Sequence, residues 1–457
     1  MRFPPHKPIC NHRAEKASVL IIVMWVAIGL IAITLYFANS MTLELRASDN
    51  RTSGMAADQA IEGAARYVSY VLANYATNGA FPTNAQFTCQ NMPIGDARVW
   101  IIGRDESTTA STPSTSTDPA FGLIDEASKL NLNTAGTNTL AALPNMDYDL
   151  AEAIVDWRST NSTLDLNYGS LGYDAKHWPF ETVDELRLVY GMTLDDLVGD
   201  DLNRNGILDG SEKSSSGDTS NPGLIEYTTV YSREPTFDSD GSSLTNVNVR
   251  EQIEPLLEST FGETRAGQII RSIGYLTTAA QAPTPAITSV LQFYTKSGLS
   301  ADDFGQIADD ITATTNQYVY GRVNINTASE AVLTALFEGV SLNIDQGTAQ
   351  SAADTLINYR EQNPNSINNI SWFVTALGQN NSIVTAMAGR DRLTTKSYQF
   401  TADIAAVGPY GRGYRRVKFV FDTTDGTPKI LYRQDLSRLG WALGPKVRET
   451  LLAQNTQ

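Results

Sequence analysis

VLIIVMWVAIGLIAITLYFA, Val19 to Ala38, is a run of twenty residues without a charge in a chain of 457 that is otherwise polar and acidic, with a net charge of −16. At about 1.5 Å rise per residue a helix of this length crosses the roughly 30 Å hydrocarbon core of a bilayer, whereas the apolar part of a secretory signal is usually only about 7–15 residues. Arg2, Lys7, Arg13 and Lys16 precede it, offset by Glu15. The positive-inside bias therefore keeps the short leader in the cytoplasm and sends everything after Ala38 outward. Ala38-Asn39-Ser40 also has the small-x-small form of a signal-peptide cut, which would make the run a removed signal. The sequence beyond favours a retained helix. Met41 to Tyr75 contains no proline, and Ala57, Ala60, Ile61, Ala64, Ala65, Val68, Val71, Leu72 and Tyr75 recur at three- and four-residue spacing. That spacing predicts one continuous helix of about 55 residues, half in lipid and half carrying a small-residue and apolar stripe.

From this helix the rest of the chain divides into segments at 1–17, 18–79, 80–128, 129–395 and 396–457. ARVWIIG, Ala97 to Gly103, is dense in apolar and β-branched residues and reads as a strand, followed by an exposed Ser/Thr/Pro-rich loop from Ser107 to Pro119. At the other end, Ser397 to Asp435 alternates apolar and polar residues across turns at Gly408-Pro409 and Asp425-Gly426. This is the pattern of a three-stranded antiparallel meander. The expected fold class is α+β: the long helix lies on one sheet built from the early strand and the meander, with a large, mainly helical domain inserted between them.

The insertion is repetitive. KLNLNTAGTNTLAALPNMDYDLAEAIVDWR, Lys129 to Arg158, is echoed by RVNINTASEAVLTALFEGVSLNIDQGTAQSAADTLINYR, Arg322 to Arg360. A degenerate copy begins at Leu244 with LTNVNV. Each unit reads as a short strand, then two helices packed as a helix-hairpin-helix-like pair, with Asn133-Thr134 or Asn326-Thr327 expected to cap the first helix. A further helical stretch follows each copy, and SVLQFYTKSGLSADDF from Ser289 answers ELRLVYGMTLDDL from Glu185.

The strongest site motif is DLNRNGILDGSE, Asp201 to Glu212. Asp201, Asn203, Asn205, Ile207 (through its carbonyl), Asp209 and Glu212 stand at positions one, three, five, seven, nine and twelve of a calcium loop, with Gly206 at the turn. The expected cofactor is a structural Ca²⁺. Enzyme readings find little: of the three histidines only His177 lies beyond the leader and the apolar run, and Cys89 has no basic neighbour to activate it. Cys10 and Cys89 fall on opposite sides of the membrane helix and are not expected to pair. The acidic balance disfavours nucleic acid.

Taken together, Arg13 to Ala17 before VLIIVMWV, the phrase GLIDEASKLNLNTA, AIVDWR, PFETVDELRLVYGMT and the later VNINTA resemble the K family of minor pseudopilins of bacterial type II secretion systems (general secretion pathway protein K). The resemblance covers nearly the whole chain. It implies a pilin-like helix and sheet with an inserted helical domain, and a single-pass inner-membrane protein whose C-terminal domain is periplasmic. It also implies a place at the pseudopilus tip beside other minor pseudopilins, contact with the secretion assembly platform, no enzymatic activity, and cleavage and N-methylation by a prepilin peptidase. Lys16-Ala17 followed by Ser18-Val19 is the matching junction, with Ala17 where the family has glycine. Counted from Ser18, position five is Ile22, where pilin-like proteins usually carry glutamate. VNINTASEAVLTAL and LNLNTAGTNTLAAL also resemble the helix-hairpin-helix domains of membrane-anchored DNA-uptake receptors, although neither hairpin has a Gly-x-Gly turn and acidic residues replace basic ones.

Overall fold

The computed structural model describes residues 12–105, 118–160, 165–209, 212, 222–238, 241–277 and 280–454. One helix, α1 (His12–Tyr75), runs for 64 residues without interruption. Its apolar first half, from Val19 to Phe37, is exposed along its whole length. Among the described residues α1 is the one helix long and apolar enough to cross a membrane. The second half lies on a sheet of β1 (Met92–Ile94), β2 (Ala97–Ile102), β3 (Ile124–Asp125), β4 (Gln399–Gly408), β5 (Arg412–Asp422) and β6 (Lys429–Asp435). The order is β1-β2-β4-β5-β6, all antiparallel, with β3 pairing with β4 beyond the end of β2. This is the α+β architecture expected from the sequence.

The stripe on α1 is what glues helix to sheet. Ala57, Ala60, Ile61, Ala64, Ala65, Val68, Val71 and Leu72 are all buried against Val99, Ile101, Phe400, Ala402, Ile404 and Phe419. Alanines let the backbone approach the sheet closely, while Ile61, Val68, Val71 and Leu72 each contribute about 1.5–3 kcal/mol by burial. Tyr75, expected on this stripe, is exposed, and Ala76 takes the buried place where the helix ends. At the stripe's start the backbones almost touch: Gly413 in β5 has φ +69°, and a Cβ there would collide with Ser53 and Gly54 of α1.

β4 is buried on both faces. Phe400, Ala402, Ile404 and Ala406 face α1. Gln399, Thr401 and Asp403 alternate onto the other side, as a strand's two-residue period requires, where Gln399 accepts the Arg233 N–H of the inserted domain. That domain has its own hydrophobic core, from Leu130 to Leu393, distinct from the core under α1.

Inside the insertion three copies share one plan. A two-residue strand opens each and is paired in parallel by one that closes it: Leu130–Asn131 with Thr228–Thr229, Thr245–Asn246 with Ile311–Thr312, and Val323–Asn324 with Leu393–Thr394. The hairpin helices are Thr137–Ala141 and Tyr148–Arg158, Arg250–Phe261 and Glu263–Ser272, and Glu330–Val340 and Gln346–Gln362. The degenerate copy at Leu244 is thus a complete structural unit.

One expectation fails. Asn133, Thr134, Asn326 and Thr327 do not cap the helices; the cap positions are Gly136 and Ser329, neither with a side-chain cap bond. The first asparagine of each copy folds the chain instead, its Oδ1 accepting the N–H two residues on: Asn131 from Asn133, Asn246 from Asn248 and Asn324 from Asn326, each at 2.9 Å. The second then reaches across its unit. Asn133 accepts from Phe180 N–H and donates to Phe180 O, and Asn248 does the same with Ile287. Asn326 donates to Ile367 O and accepts from the Trp372 indole. A carboxamide carries both a donor and an acceptor, so it can replace a strand partner, whereas a cap uses only the oxygen.

Candidate metal centre

The loop Asp201–Glu212 follows the short helix Leu194–Val198, which ends at Gly199 with φ +65°. Residues 201–209 and 212 fall within the described part. Asp201 organises the turn: its Oδ1 accepts the Asn205 N–H at 3.1 Å and its Oδ2 the Gly206 N–H at 2.7 Å. Gly206 has φ +87°, and a Cβ there would lie 2.7 Å from Arg104 Cδ, so the motif's glycine is needed for conformation and for space. Asn205 Oδ1 accepts Ile207 N–H at 3.0 Å, and Glu212 closes the ring by accepting Asn203 N–H at 3.0 Å and Asp209 N–H at 2.9 Å. Asp209 Oδ2 takes the side-chain amides of Asn203 and Asn205.

All the sequence-predicted ligands, Asp201, Asn203, Asn205, Ile207, Asp209 and Glu212, therefore belong to one hydrogen-bonded loop. No group of three or more His, Cys, Asp or Glu side chains converges in metal-holding geometry among the described residues; the loop's carboxylates are turned to N–H donors. One atom stands out. Asn203 Oδ1 is buried without a hydrogen-bond partner among the described residues, an orphaned acceptor at the third position of the motif. The donor set is all oxygen, with three carboxylates, two amides and a backbone carbonyl, and this is the chemistry Ca²⁺ takes. The residues fit the ion. Burial pushes the Asp201 carboxyl up to about 6 against the downward pull of Arg104 and the Gly206 N–H.

What the sequence did not disclose is how the loop is anchored. Arg416 of β5 is fully buried, paired through Nε at 2.8 Å with Asp403 of β4, and its terminal nitrogens donate to the carbonyls of Asn203 and Arg204. Arg104, just past β2, donates to Arg204 O at 3.2 Å and is paired with Glu226. Burial pushes Glu226 up, and Arg104 with Lys129 more than reverses it, leaving that carboxyl at about 2. Asn203 and Asn205 also donate to Trp441 O and Ala442 O, each at 3.3 Å. The loop is thus clamped where β2, β4, β5 and the C-terminal segment meet the inserted domain. Arg416 and Asp403 gave no signal in the sequence, because a charged residue in an alternating strand reads as solvent-facing unless its distant partner is known.

The other singled-out positions lie elsewhere. Ala17, Ser18 and Ile22 are all within α1, and Ile22 is exposed. His177 is half-buried, its Nδ1 2.8 Å from Ser159 O. Cys89 is buried, and burial pushes its thiol up.

No family model and no curated protein matches the chain. Among solved structures, a chain in the crystal structure of the GspK-GspI-GspJ complex from the enterotoxigenic Escherichia coli Type 2 Secretion System is similar, at 11% identity and a TM-score of 0.41, covering 86% of this chain and 99% of that one.

Proposed function

We propose that the protein is a minor pseudopilin of a type II secretion system, of the K family, held in the bacterial inner membrane by the apolar half of α1 with the remainder in the periplasm. The observation that carries this reading is the division of α1 itself: twenty uncharged, exposed residues continue without a break into a small-residue stripe sealed onto an antiparallel meander. Such a helix serves as membrane anchor and as the spine of a filament subunit. Prepilin peptidase would cut between Ala17 and Ser18. Mass spectrometry of the membrane-extracted N-terminus tests this, and a start at Met41 would mean a signal peptide and sink the pilin reading.

The subunit would cap the pseudopilus, next to other minor pseudopilins, and help initiate its assembly on the secretion platform. Two features support a terminal place. The insertion from about residue 129 to 395 stands on the sheet face away from α1, where its bulk obstructs stacking of identical subunits. Ile22 occupies the position at which a glutamate would meet the terminal amine of a preceding subunit; a subunit with nothing ahead of it is better served by an apolar residue, since an uncompensated charge in lipid costs about 2.5–3.5 kcal/mol. Imaging of tagged protein on assembled pseudopili decides: label along the filament rather than at its end refutes the tip placement.

In this reading Ca²⁺ is structural. Asp201, Asp209 and Glu212 would supply the carboxylates, Asn203 and Asn205 the amide oxygens and Ile207 the carbonyl. The ion would draw these oxygens together and stiffen a loop that Arg416 and Arg104 already pin to the sheet.

A further inference from the structure

Between the first and third copies lies an open cleft of about 790 Å³. One wall is the turn and first residues of the helix after Asn131, the other is the end of the helix Glu330–Val340 with the following turn, and Arg390 and Arg392 stand before the closing strand Leu393–Thr394. The walls are locked. A Cβ on Gly339 would collide with Thr139, and one on Gly321 with Thr134, so the two copies are in backbone contact. In a chain of net charge −16 the cleft is an electrostatic exception: among the described residues that line it there is no carboxylate, and the charged ones are Arg390 and Arg392.

Neither guanidinium has a hydrogen-bond or ion-pair partner among the described residues. Asp391, between them in sequence, turns the other way and is held by Arg322 at 2.7 and 3.0 Å. A third arginine lies behind the wall. Arg158 donates through Nη2 to Ala135 O, while its Nη1 is buried without a partner among the described residues. The equivalent residue of the third copy, Arg360, spends its Nη1 on Ile325 O and Ala328 O. Burial, with the like charge of Arg392, pulls Arg158 down to about 10, and burial pulls Arg392 down as well. Arg390 is exposed and Arg392 half-buried, so water meets their donors in the free protein, and Asp391 offsets part of the repulsion on Arg392. An anion would exchange that water for charge-assisted bonds, which from arginine to an oxyanion are strong and directional, and would counter the charge of Arg158 behind them.

We infer that this cleft binds a small oxyanion, a phosphate- or carboxylate-bearing molecule, held by Arg390 and Arg392 in the added positive field of Arg158. Hydroxyls of Thr137 and Ser341 on the walls offer further donors. The inference is independent of the secretion reading and of the calcium loop.

The test is calorimetric titration of the full-length, detergent-purified protein, free of divalent metal, with inorganic phosphate and separately with succinate, at ionic strength fixed with chloride. Saturable binding of either anion is expected, at least tenfold weaker in Arg390→Gln with Arg392→Gln. Saturation by phosphate alone or succinate alone identifies which oxyanion class the cleft prefers. Because those side chains hold no bond among the described residues, the variant should melt no lower than wild type in anion-free buffer. The inference is overturned by the absence of saturable heat with both anions, by equal affinity in the variant, by an anion-free melting temperature that falls in the variant, or by saturable binding of a DNA duplex alone.

Discussion

Asp125 is the residue at which the two halves of the molecule are tied, and it predicts an inverted pH response. It ends β3, where the chain leaves the sheet for the insertion, and is completely buried. Its Oδ1 accepts the Ala127 N–H at 2.8 Å; its Oδ2 takes Asn324 Nδ2 at 3.0 Å, Thr327 Oγ1 at 2.6 Å and the Ser397 hydroxyl. Burial outweighs these four bonds and pushes the carboxyl from an ordinary 3.8 up to about 6. The folded protein therefore holds this proton over a range in which the unfolded chain has lost it. Stability from this group is fully present below about pH 4 and declines as pH rises through 6, by about 3 kcal/mol in all at 1.36 kcal/mol per tenfold change in proton affinity. Asp125→Asn removes the titration. It keeps an acceptor for Ala127 but turns an NH₂ toward Asn324, at a cost of about 1–3 kcal/mol. Urea unfolding of wild type and variant in the same detergent at pH 4, 5, 6 and 7 isolates this site, because other titrating groups cancel in the difference. The variant should be less stable by about 1–3 kcal/mol at pH 4, and the difference should move in its favour by about 2 kcal/mol by pH 7, closing or reversing. A gap independent of pH, or one that widens, refutes the reasoning.

Three further outcomes follow from other contacts. Calcium should raise the melting temperature of wild type, by a gain of about 2.7 kcal/mol at a hundred times Kd, and Asp201→Ala with Glu212→Ala should abolish that rise; no calcium response in wild type, or an unchanged one in the variant, counts against this loop as the site. Arg416→Met strands the buried Asp403 carboxylate and should cost about 3–5 kcal/mol, most of it recovered by adding Asp403→Leu, while proteolysis within residues 201–209 stays elevated in both; a double variant no more stable than the single counts against a paired role. Gly339→Ala should destabilise by about 1–3 kcal/mol because its Cβ meets Thr139, whereas Gly267→Ala, in open space on the helix Glu263–Ser272, should stabilise by about 0.4–1 kcal/mol; thermal melts with the same sign for both would show that backbone contact between copies is not what matters.

Most of the architecture was legible because it is written in periodicity. The stripe from Ala57 to Leu72 has a helix's spacing, Phe400 to Ala406 has a strand's, and both are local properties of sequence. The repeat was legible for the same reason: Asn-Leu-Asn, Asn-Val-Asn and Asn-Ile-Asn place two carboxamides at fixed separation in every copy. Their role was misread, because capping and cross-unit bracketing demand the same residue and differ only in a partner some forty residues away. The loop from Asp201 to Glu212 stands out by the spacing of its oxygen side chains, whereas its anchors do not. Asn203 and Arg416 are separated by 213 positions, and nothing local marks a buried ion pair. Arg158 and Arg360 each close a copy after an aromatic residue, and only their hydrogen bonds tell them apart: Arg360 Nη1 donates to Ile325 O and Ala328 O, whereas Arg158 Nη1 is buried without a partner among the described residues.

The two faces of β4 show how one strand can carry both assembly and insertion. Toward α1 it offers apolar side chains, and that contact is a continuous core which tolerates small slips. Away from α1 it offers Gln399, Thr401 and Asp403, whose partners come from three places: Thr401 donates to Glu126 of the neck at 2.6 Å, Asp403 and the Gln399 amide are met by Arg416 and Asp422 of the neighbouring β5, and from the insertion the Arg233 N–H reaches Gln399 at 2.8 Å. Each polar match is worth only about 1 kcal/mol net, but each mismatch would leave a buried group unpaired at about 1–3 kcal/mol. Such a surface binds no more tightly than an apolar one; what it does is reject every orientation but one. The insertion has a separate core and needs no help from the sheet to bury its apolar residues, so the polar neck around Asp125 and Glu126 and the clamp on Asn203 and Arg204 serve to aim it. The loop 201–209 sits beside that clamp, tied by Arg416 and Arg104 to the same carbonyls.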